Sequence, residues 1–564
     1  MALNRKVAYI NLTSGKIETR SIPEEIRKKY LGGTGLGAYL LYNHMNPGRD
    51  AFGPENTMVV SAGLLLGTPA SVSCPVSVCG KSPLTGGYGS CSTGGFFAPE
   101  MRWAGFDHLV ITGKAVKPVY LWVQNNRIEI RDAAFIGGTT IPESQQAVRE
   151  KLGDRNIQVL AIGPSGEKMV RFAGVVAGPG TTSCRSGMGA VFGSKNLKAI
   201  AARGTLDITM AHPGEILDYV MAHLYNRTAE KVTNTAEGNS GETSPLPLAV
   251  AAGTDDTFAI LEETGLVARY GLDVSETGSL INWAIELYEE GILTVEDTGG
   301  LELVRGNTAV IREMARRIGE REGLGDTLAE GGIRAAEKSG RNSLEYLAHV
   351  KGMGLMNPDA KVSPALALHT ATSPFDPDRL RSPLEVDFSG LSEEEIRKRY
   401  SRPVPYEGPF SSDERAFEGK SWQVFWHETA ATAAESLGIC KPCGGTEDAS
   451  QSDYEVWSEL LRLVTGLEMS PEDIRTAAER AETLVRMINL REGVTGKDDM
   501  PSDRYFTQAN ETGLAAVRGG RIDSEQLSQM IGEYYRHHGW DESGVPAEET
   551  LKKLGLDKEP SHML

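Results

Sequence analysis

The sequence predicts an α+β protein: a β-rich N-terminal domain over residues 1–208, followed by two mainly α-helical domains over 209–345 and 346–564. Three observations carry this. Up to about residue 205, apolar residues come in short runs of strand length bounded by Gly, Asn and Asp. From about 211 the texture changes to apolar residues at helical spacing. A chain of 564 residues also exceeds one hydrophobic core, while a 40% hydrophobic content suffices for several.

The elements follow in order. Residues 7–12 and 16–20 read as two short strands around a Ser-Gly turn. A helix capped by Ser21 or Pro23 is expected to end near Gly32 and Gly33. Segments 59–62 and 76–78 alternate like strands; 109–113, 119–124 and 127–131 form a further β series, and 159–163 is one more strand. Helices are expected over 212–224, 254–270, 279–290, 309–320 and 452–463. Residues 225–243 read as a polar loop, and 357–419, rich in Pro, Asp and Ser, as irregular. No internal repeat is evident.

Bulk properties exclude some functions. A net charge of −18 argues against nucleic acid, which needs clustered Lys and Arg, and permits docking of a basic partner. No apolar run reaches the roughly 18 residues of a membrane span, and the first ten residues lack a signal peptide's apolar core. We expect a cytoplasmic protein without a membrane or nucleic-acid partner. Six cysteines do not make a disulfide framework in a chain of this length.

Two glycine-rich stretches stand out. Residues 80–97, GKSPLTGGYGSCSTGGFF, hold six glycines, too many for a helix interior. Residues 178–190, GPGTTSCRSGMGA, followed by GSKNLK at 193–198, have the same character. Glycines among Ser and Thr bring backbone N–H groups close to a bulky anion. Two such loops, each with basic residues, suggest a ligand with more than one phosphate; tight turns in a β-rich domain are the plain alternative for either loop alone.

Together these stretches carry a resemblance. KSPLTG at 81–86, GGFFAPE at 94–100, WAGFD at 103–107, IGPSGE at 162–167 and GAVFGSKNLKA at 189–199 resemble the N-terminal domain of the aldehyde ferredoxin oxidoreductase family. The likeness runs from RKVAYINL at 5–12 to YYRHHGW at 534–540. It implies that family's fold, tungsten or molybdenum on two pterin dithiolenes, and a small aldehyde or carboxylate-type substrate. Two helix-end motifs are implied to hold the pterins. The first is ARYGLD at 268–273, where the family's acid has become Ala268 while Gly271, Leu272 and Asp273 remain. The second is ESLGIC at 435–440, with Gly438, Ile439 and Cys440. Lys81, Ser92, Gly94, Gly95, Ser183, Arg185, Gly187 and Arg381 are the further cofactor contacts implied. The backbones of Ser92 and Ser183 would hold a magnesium ion between the pterin phosphates. Ordinary Gly-terminated helices are the structural alternative for the two motifs.

The pattern breaks at the iron–sulfur site. The family supplies three cysteines spaced C-x-x-C-x-x-x-C in its second domain and a fourth in the second pterin motif, together holding a [4Fe–4S] cluster. This chain has no cysteine between Cys184 and Cys440. The family's arginine between cluster and pterin corresponds to Pro75. The expectation is a cluster-free member. A rebuilt metal site on Cys74, Cys79, Cys440 and Cys443 is the alternative; buried thiols acting as small hydrophobes is the blander one. Active-site groups shift too: the family glutamate falls on Thr243 beside Glu242, and the family histidine near Arg379. His369 and His427 are substitute acid–base candidates. The resemblance further implies ferredoxin or another electron-transfer subunit as partner, and a homodimer. Non-redox hydratase or lyase chemistry, or a non-catalytic cofactor-binding paralogue, remain as alternatives.

Overall fold

The computed structural model describes residues 3, 5–71, 75–178, 184–225, 257–355, 363–377, 392–411, 413, 415–439, 453–507 and 521–558. The expected sites at Glu242, Ser183, Arg379, Arg381 and Cys440 lie outside these residues, as do Cys74, Cys443 and Thr243.

The first part of the chain forms two sheets. β1 (Lys6–Asn11), β2 (Lys16–Ser21), β3 (Met58–Ala62), β4 (Val76–Lys81), β5 (Tyr88–Thr93) and β6 (Phe106–Thr112) make a six-stranded sheet in the order β2-β1-β6-β3-β4-β5. β1 and β6 run parallel; the other neighbours are antiparallel. β7 (Val119–Gln124), β8 (Arg127–Asp132), β9 (Gln158–Ala161) and β10 (Leu197–Arg203) make a second sheet in the order β8-β7-β10-β9. The period-2 pattern decides which face is dry. Val60, Val78 and Leu109 of the first sheet share a buried core with Leu121, Leu160 and Ile200 of the second. The other face of the first sheet carries Val59, Cys79, Tyr88 and Val110. It packs under the Gly33–His44 helix and against Leu484 and Ile488 of the Pro471–Arg491 helix. A domain built on this sheet is therefore joined to the helical part through one continuous core.

From residue 257 the described structure is mainly helical. Thr257–Tyr270, Val274–Glu289 and Thr308–Glu320 pack around Leu280, Ile311 and Met314. A second helical core gathers Pro364–Thr372, Lys420–Leu437, Asp453–Thr465 and Ser524–His538 around Phe425, Trp457 and Leu460.

Several expectations are corrected. Gly32 and Gly33 do not only stop the Glu24–Tyr30 helix; Gly33 starts the Gly33–His44 helix. The reason is contact: a Cβ on Gly33 would lie 2.1 Å from the Glu435 carbonyl oxygen. The 357–419 stretch is not irregular throughout: it holds the helices Pro364–Thr372 and Glu393–Tyr400. The second starts at a reciprocal cap between Ser392 and Glu395. The helix expected over 279–290 begins earlier, at Val274, because Asp273 accepts a hydrogen bond from the Glu276 amide as its cap. Cys91 and Cys184 are joined by a disulfide across a separation of 93 residues.

Candidate functional site

The glycine loops come together first. Ser82 Oγ donates to the Ser186 carbonyl (2.9 Å), and Ser186 Oγ donates to the Ser90 carbonyl (2.7 Å). Gly95, at φ 102°, faces Gly178: a Cβ there would sit 3.2 Å from the Gly178 Cα. Gly94 lies beside the same contact through its carbonyl oxygen. Gly187, at φ 81°, would place a Cβ 2.0 Å from the Arg171 carbonyl oxygen, so only glycine fits. The Cys91–Cys184 disulfide ties the two loops covalently. Sequence reasoning missed this bridge; two cysteines 93 residues apart carry no local signal.

The first helix-end motif closes on the second loop. Gly271, at φ 79°, ends the Thr257–Tyr270 helix, and its carbonyl accepts from the Gly174 amide (2.7 Å). Leu272 is buried and bridges to Ala173. Asp273 accepts from the Cys184 amide at 3.4 Å. The fully buried Arg185 Nε lies 3.6 Å from carboxylate oxygens of both Asp273 and Glu276. Burial pushes the Asp273 carboxyl up to about 6, against the pull of Arg185 and with repulsion from Asp376 adding to it.

The second motif closes on the loop after β3. Gly438 caps the Lys420–Leu437 helix in the left-handed region, and Ile439, buried, donates its amide to the Ala434 carbonyl. The amides of Leu64 and Leu65 donate to the carbonyls of Ser436 (3.1 Å) and Leu437 (2.7 Å). Glu435 accepts from Thr34 Oγ1 at 3.0 Å.

Along the Lys420–Leu437 helix, which ends in the second motif, opens a cleft of about 590 Å³, counted with the solvent at its mouth. Thr34, Phe375, Glu428, Glu482, Asn489 and Tyr534 are among its walls. It abuts the first glycine loop directly. Asn489 Oδ1 accepts from the Tyr88 amide (2.7 Å), and the Phe375 ring stands edge-on to Tyr88 at 5.8 Å.

The remaining expected residues are placed as follows. Lys81 pairs with Glu492 at 2.5 Å, so its ammonium engages a helix of the third part rather than standing free in the glycine loop. Ser92 lies on β5 directly beside Ser77 of β4. His369 is buried and bonds through Nδ1 to Glu428 (2.6 Å), which lines the cleft. His427, on the next position of the same helix as Glu428, bonds through Nε2 to the Tyr400 hydroxyl (2.6 Å). Sequence reasoning missed Glu428, Tyr534 and Asp499. A buried acid inside an Ala-rich helix and a Tyr-Tyr pair give only a weak signal. Among the described residues no three His, Cys, Asp or Glu side chains are grouped to hold a metal ion.

Comparison with known proteins agrees with this fold. The aldehyde ferredoxin oxidoreductase N-terminal domain matches residues 7–204, and domains 2 and 3 of the same family match residues 224–556. The chain is 30% identical over 637 residues to a tungsten-containing aldehyde ferredoxin oxidoreductase of Pyrococcus abyssi, covering 98% of this chain and 99% of the relative. It is 26% identical to the WOR-like subunit of an aliphatic sulfonate oxidoreductase of Pyrococcus furiosus, with 98% and 97% covered. Among solved structures, the active-site complex BamBC of benzoyl coenzyme A reductase matches with a TM-score of 0.83 at 25% identity, covering 99% of this chain and 97% of that one. With both parts of the family matched over most of its length, the chain belongs to the aldehyde ferredoxin oxidoreductase family.

Proposed function

We propose that this chain is a tungsten- or molybdenum-pterin oxidoreductase acting on a small aldehyde or carboxylate-type substrate, without the [4Fe–4S] cluster in its usual place. One observation carries the reading. Two glycine loops are tied to each other and to the first Gly-ended helix, the first loop meets a cleft walled by the second Gly-ended helix, and the sequence between Cys184 and Cys440 supplies no thiolate.

The donor set fits a pterin. A pterin offers amino and ring N–H groups at one end and a phosphate at the other. Asp273 presents acceptor oxygens at the first motif, and Arg185 beside it presents a buried cation. Ser92, Gly94, Gly95 and Gly187 lie on the loops that would approach the phosphates; magnesium would sit between these at the Ser92 and Ser183 backbones. Gly271, Leu272, Gly438 and Ile439 form the two helix ends. When bound, the metal-pterin group supplies two-electron redox chemistry at a carbonyl carbon. The chain's own residues bind, orient and handle protons: Glu428, backed by His369, faces the cleft, while His427 is set behind it on Tyr400. Glu242, Arg379, Arg381 and Cys440 remain proposals from the resemblance.

The domain division we propose is 1–208, 209–345 and 346–564, supported by family matches that end at 204 and begin at 224. The reading includes a cytoplasmic protein with an electron-transfer subunit as partner; relatives described as a subunit and as part of a complex support a partner subunit of some kind, and a homodimer is the other assembly. The missing thiolates favour one further reading, a non-redox hydratase using the metal as Lewis acid. Metal analysis of purified protein tests the main proposal. We expect tungsten or molybdenum near one per chain with little iron. Stoichiometric iron and sulfide would sink the cluster-free reading, and pterin without metal would point to a non-catalytic paralogue.

A further inference from the structure

A short hairpin joins the first helix-end motif to the wall of the cleft. Its strands, His349–Val350 and Met353–Gly354, pair antiparallel around the two-residue turn Lys351-Gly352. Both turn residues have positive φ, 51° at Lys351 and 81° at Gly352. Such a turn ordinarily takes Asn, Asp or Gly, since a longer side chain there crowds its own backbone. Lys351 is an unfavourable choice for a second reason: its ammonium is buried. Burial pulls its pKa down, and Asp499 pulls it back up. What compensates lies at the tip of the side chain. Nζ donates to the Ala371 carbonyl and stands 2.7 Å from Asp499 Oδ1. The other carboxylate oxygen, Oδ2, accepts from Arg486 Nη1 at 2.8 Å and from the Tyr535 hydroxyl. Asp499, Arg486 and Tyr535 all line the cleft.

Both edges of the hairpin are fixed. The His349 amide donates to Ser502 Oγ at 3.0 Å, and the His349 carbonyl accepts from the Ser502 amide at 2.9 Å. These bonds tie down the segment that follows Asp499. On the other strand, the Gly354 amide donates to Glu276 Oε2 at 2.9 Å, and the same oxygen lies 3.6 Å from Arg185 Nε beside the first motif. The Arg486 guanidinium is held at all three nitrogens. Nε donates to the Gly544 carbonyl at 2.7 Å, Nη1 to Asp499, and Nη2 to the Tyr535 hydroxyl at 3.4 Å. A guanidinium carries five N–H groups, so two remain for a ligand oxygen. We propose that Lys351 is a positioning residue: by holding Asp499 it fixes the Arg486 fork in the cleft wall, where the fork receives the oxygen of a carbonyl or carboxylate substrate. The hairpin sets the spacing of that wall from the first motif. The proposal deepens the oxidoreductase reading above and rests on it. A fork fixed before the substrate arrives binds an oxygen without first being ordered, which is what a buried, strained lysine would be kept for.

The test uses the purified, metal-loaded protein with acetaldehyde as substrate and benzyl viologen as electron acceptor. Lys351→Asn suits the turn better than lysine does but removes the ammonium; Lys351→Met keeps the length and removes the charge. A lysine that only shaped the turn would be replaced by Asn without loss. We expect instead that either variant raises KM for the aldehyde about tenfold, with kcat within about twofold and metal content unchanged. Asp499→Asn should do the same, and Lys351→Asn combined with Asp499→Asn should go no further than the larger single change, because both act through one contact. A combined rise of about a hundredfold, an unchanged KM, or a fall in kcat at unchanged KM overturns the proposal. Hydrogen exchange supplies a second readout that needs no turnover. Lys351→Asn should speed exchange of the 496–502 amides while those of 274–289 keep their protection; equal exchange at 496–502 in the two proteins refutes the holding role. Absence of tungsten and molybdenum would instead remove the function reading and leave hydrogen exchange to decide this one.

Discussion

The contact between Gly63 and Gly438 can be tested by a single methyl group. Gly63 follows β3, and a Cβ built on it would lie 2.2 Å from the Gly438 Cα and 2.3 Å from its nitrogen. Both are backbone atoms, so no side chain can swing aside. Gly63→Ala must therefore push the loop after β3 away from the end of the Lys420–Leu437 helix. Overpacking of this kind costs about 1–3 kcal/mol. The displacement also strains the bonds from Leu64 to Ser436 (3.1 Å) and from Leu65 to Leu437 (2.7 Å), at about 1 kcal/mol each. The sum is roughly 3–5 kcal/mol, placed at the junction between the sheet and the second helix-end motif. For a cooperative unit of 150–250 residues that is a fall in Tm of roughly 6–20 °C. Differential scanning fluorimetry measures it, and hydrogen exchange locates it. The amides of 64–65 and 434–439 should lose protection while β7 to β10 keep theirs. An unchanged Tm with unchanged exchange at 64–65 would refute the reasoning, because it would mean the two backbones do not meet.

Three further outcomes are expected. The folded Asp273 carboxyl, raised from 3.8 to about 6, contributes stability fully present below pH 3.8 and lost as pH rises through 6, on the order of 3 kcal/mol in all; Asp273→Asn, which retains a helix-capping side chain, should flatten the decline of Tm between about pH 4 and 6, and parallel curves would contradict this. Alkylation before and after reduction should show Cys91 and Cys184 joined and Cys79 unreactive, its thiol pushed up to about 12 by burial. Closing a loop of 93 residues is worth about 4–5 kcal/mol by chain entropy, so reduction that leaves Tm unchanged would count against the bridge. Cys440→Ser should leave metal content and visible absorption as they are; a drop in bound iron or zinc would favour a rebuilt cysteine site over a vacant one.

Much of the fold is legible in the residues because its rules are local. Alternation over 119–124 and 127–132 marks β7 and β8, whose Val123 and Ile128 are paired in register. Gly271 and Gly438 announce helix ends because a left-handed cap favours glycine, and both have positive φ. Some errors were also local. The Ser392–Glu395 cap and the prolines opening the Pro364–Thr372 and Pro471–Arg491 helices are start signals present in the sequence. What single-sequence reading does not reach is contact between distant segments. Glu428, Asp499 and Tyr534 become walls of one cleft only when two helices and the 496–499 turn are assembled. Before that, Glu428 is one acid among many. Gly33 reads as a helix stop until the Glu435 carbonyl, some 400 positions away, is seen to occupy the place of its Cβ.

That last case changes the meaning of the high glycine content. Glycine in the 80–97 and 178–198 loops has a local reading, backbone able to approach a bulky ligand. Elsewhere the same residue marks backbone meeting backbone: Gly63 on Gly438, Gly33 on Glu435, Gly163 on Tyr270, Gly189 on Gly174. Each contact joins segments distant in sequence or a glycine loop to its support. A side chain at any of them would have to separate the two parts by an ångström or more. Dense backbone contact of this kind resists independent motion of the parts it joins, since interiors packed to this density transmit displacement rather than absorb it. The glycines thus hold the two motifs and the two loops at fixed spacing, as the proposed pterin site would require.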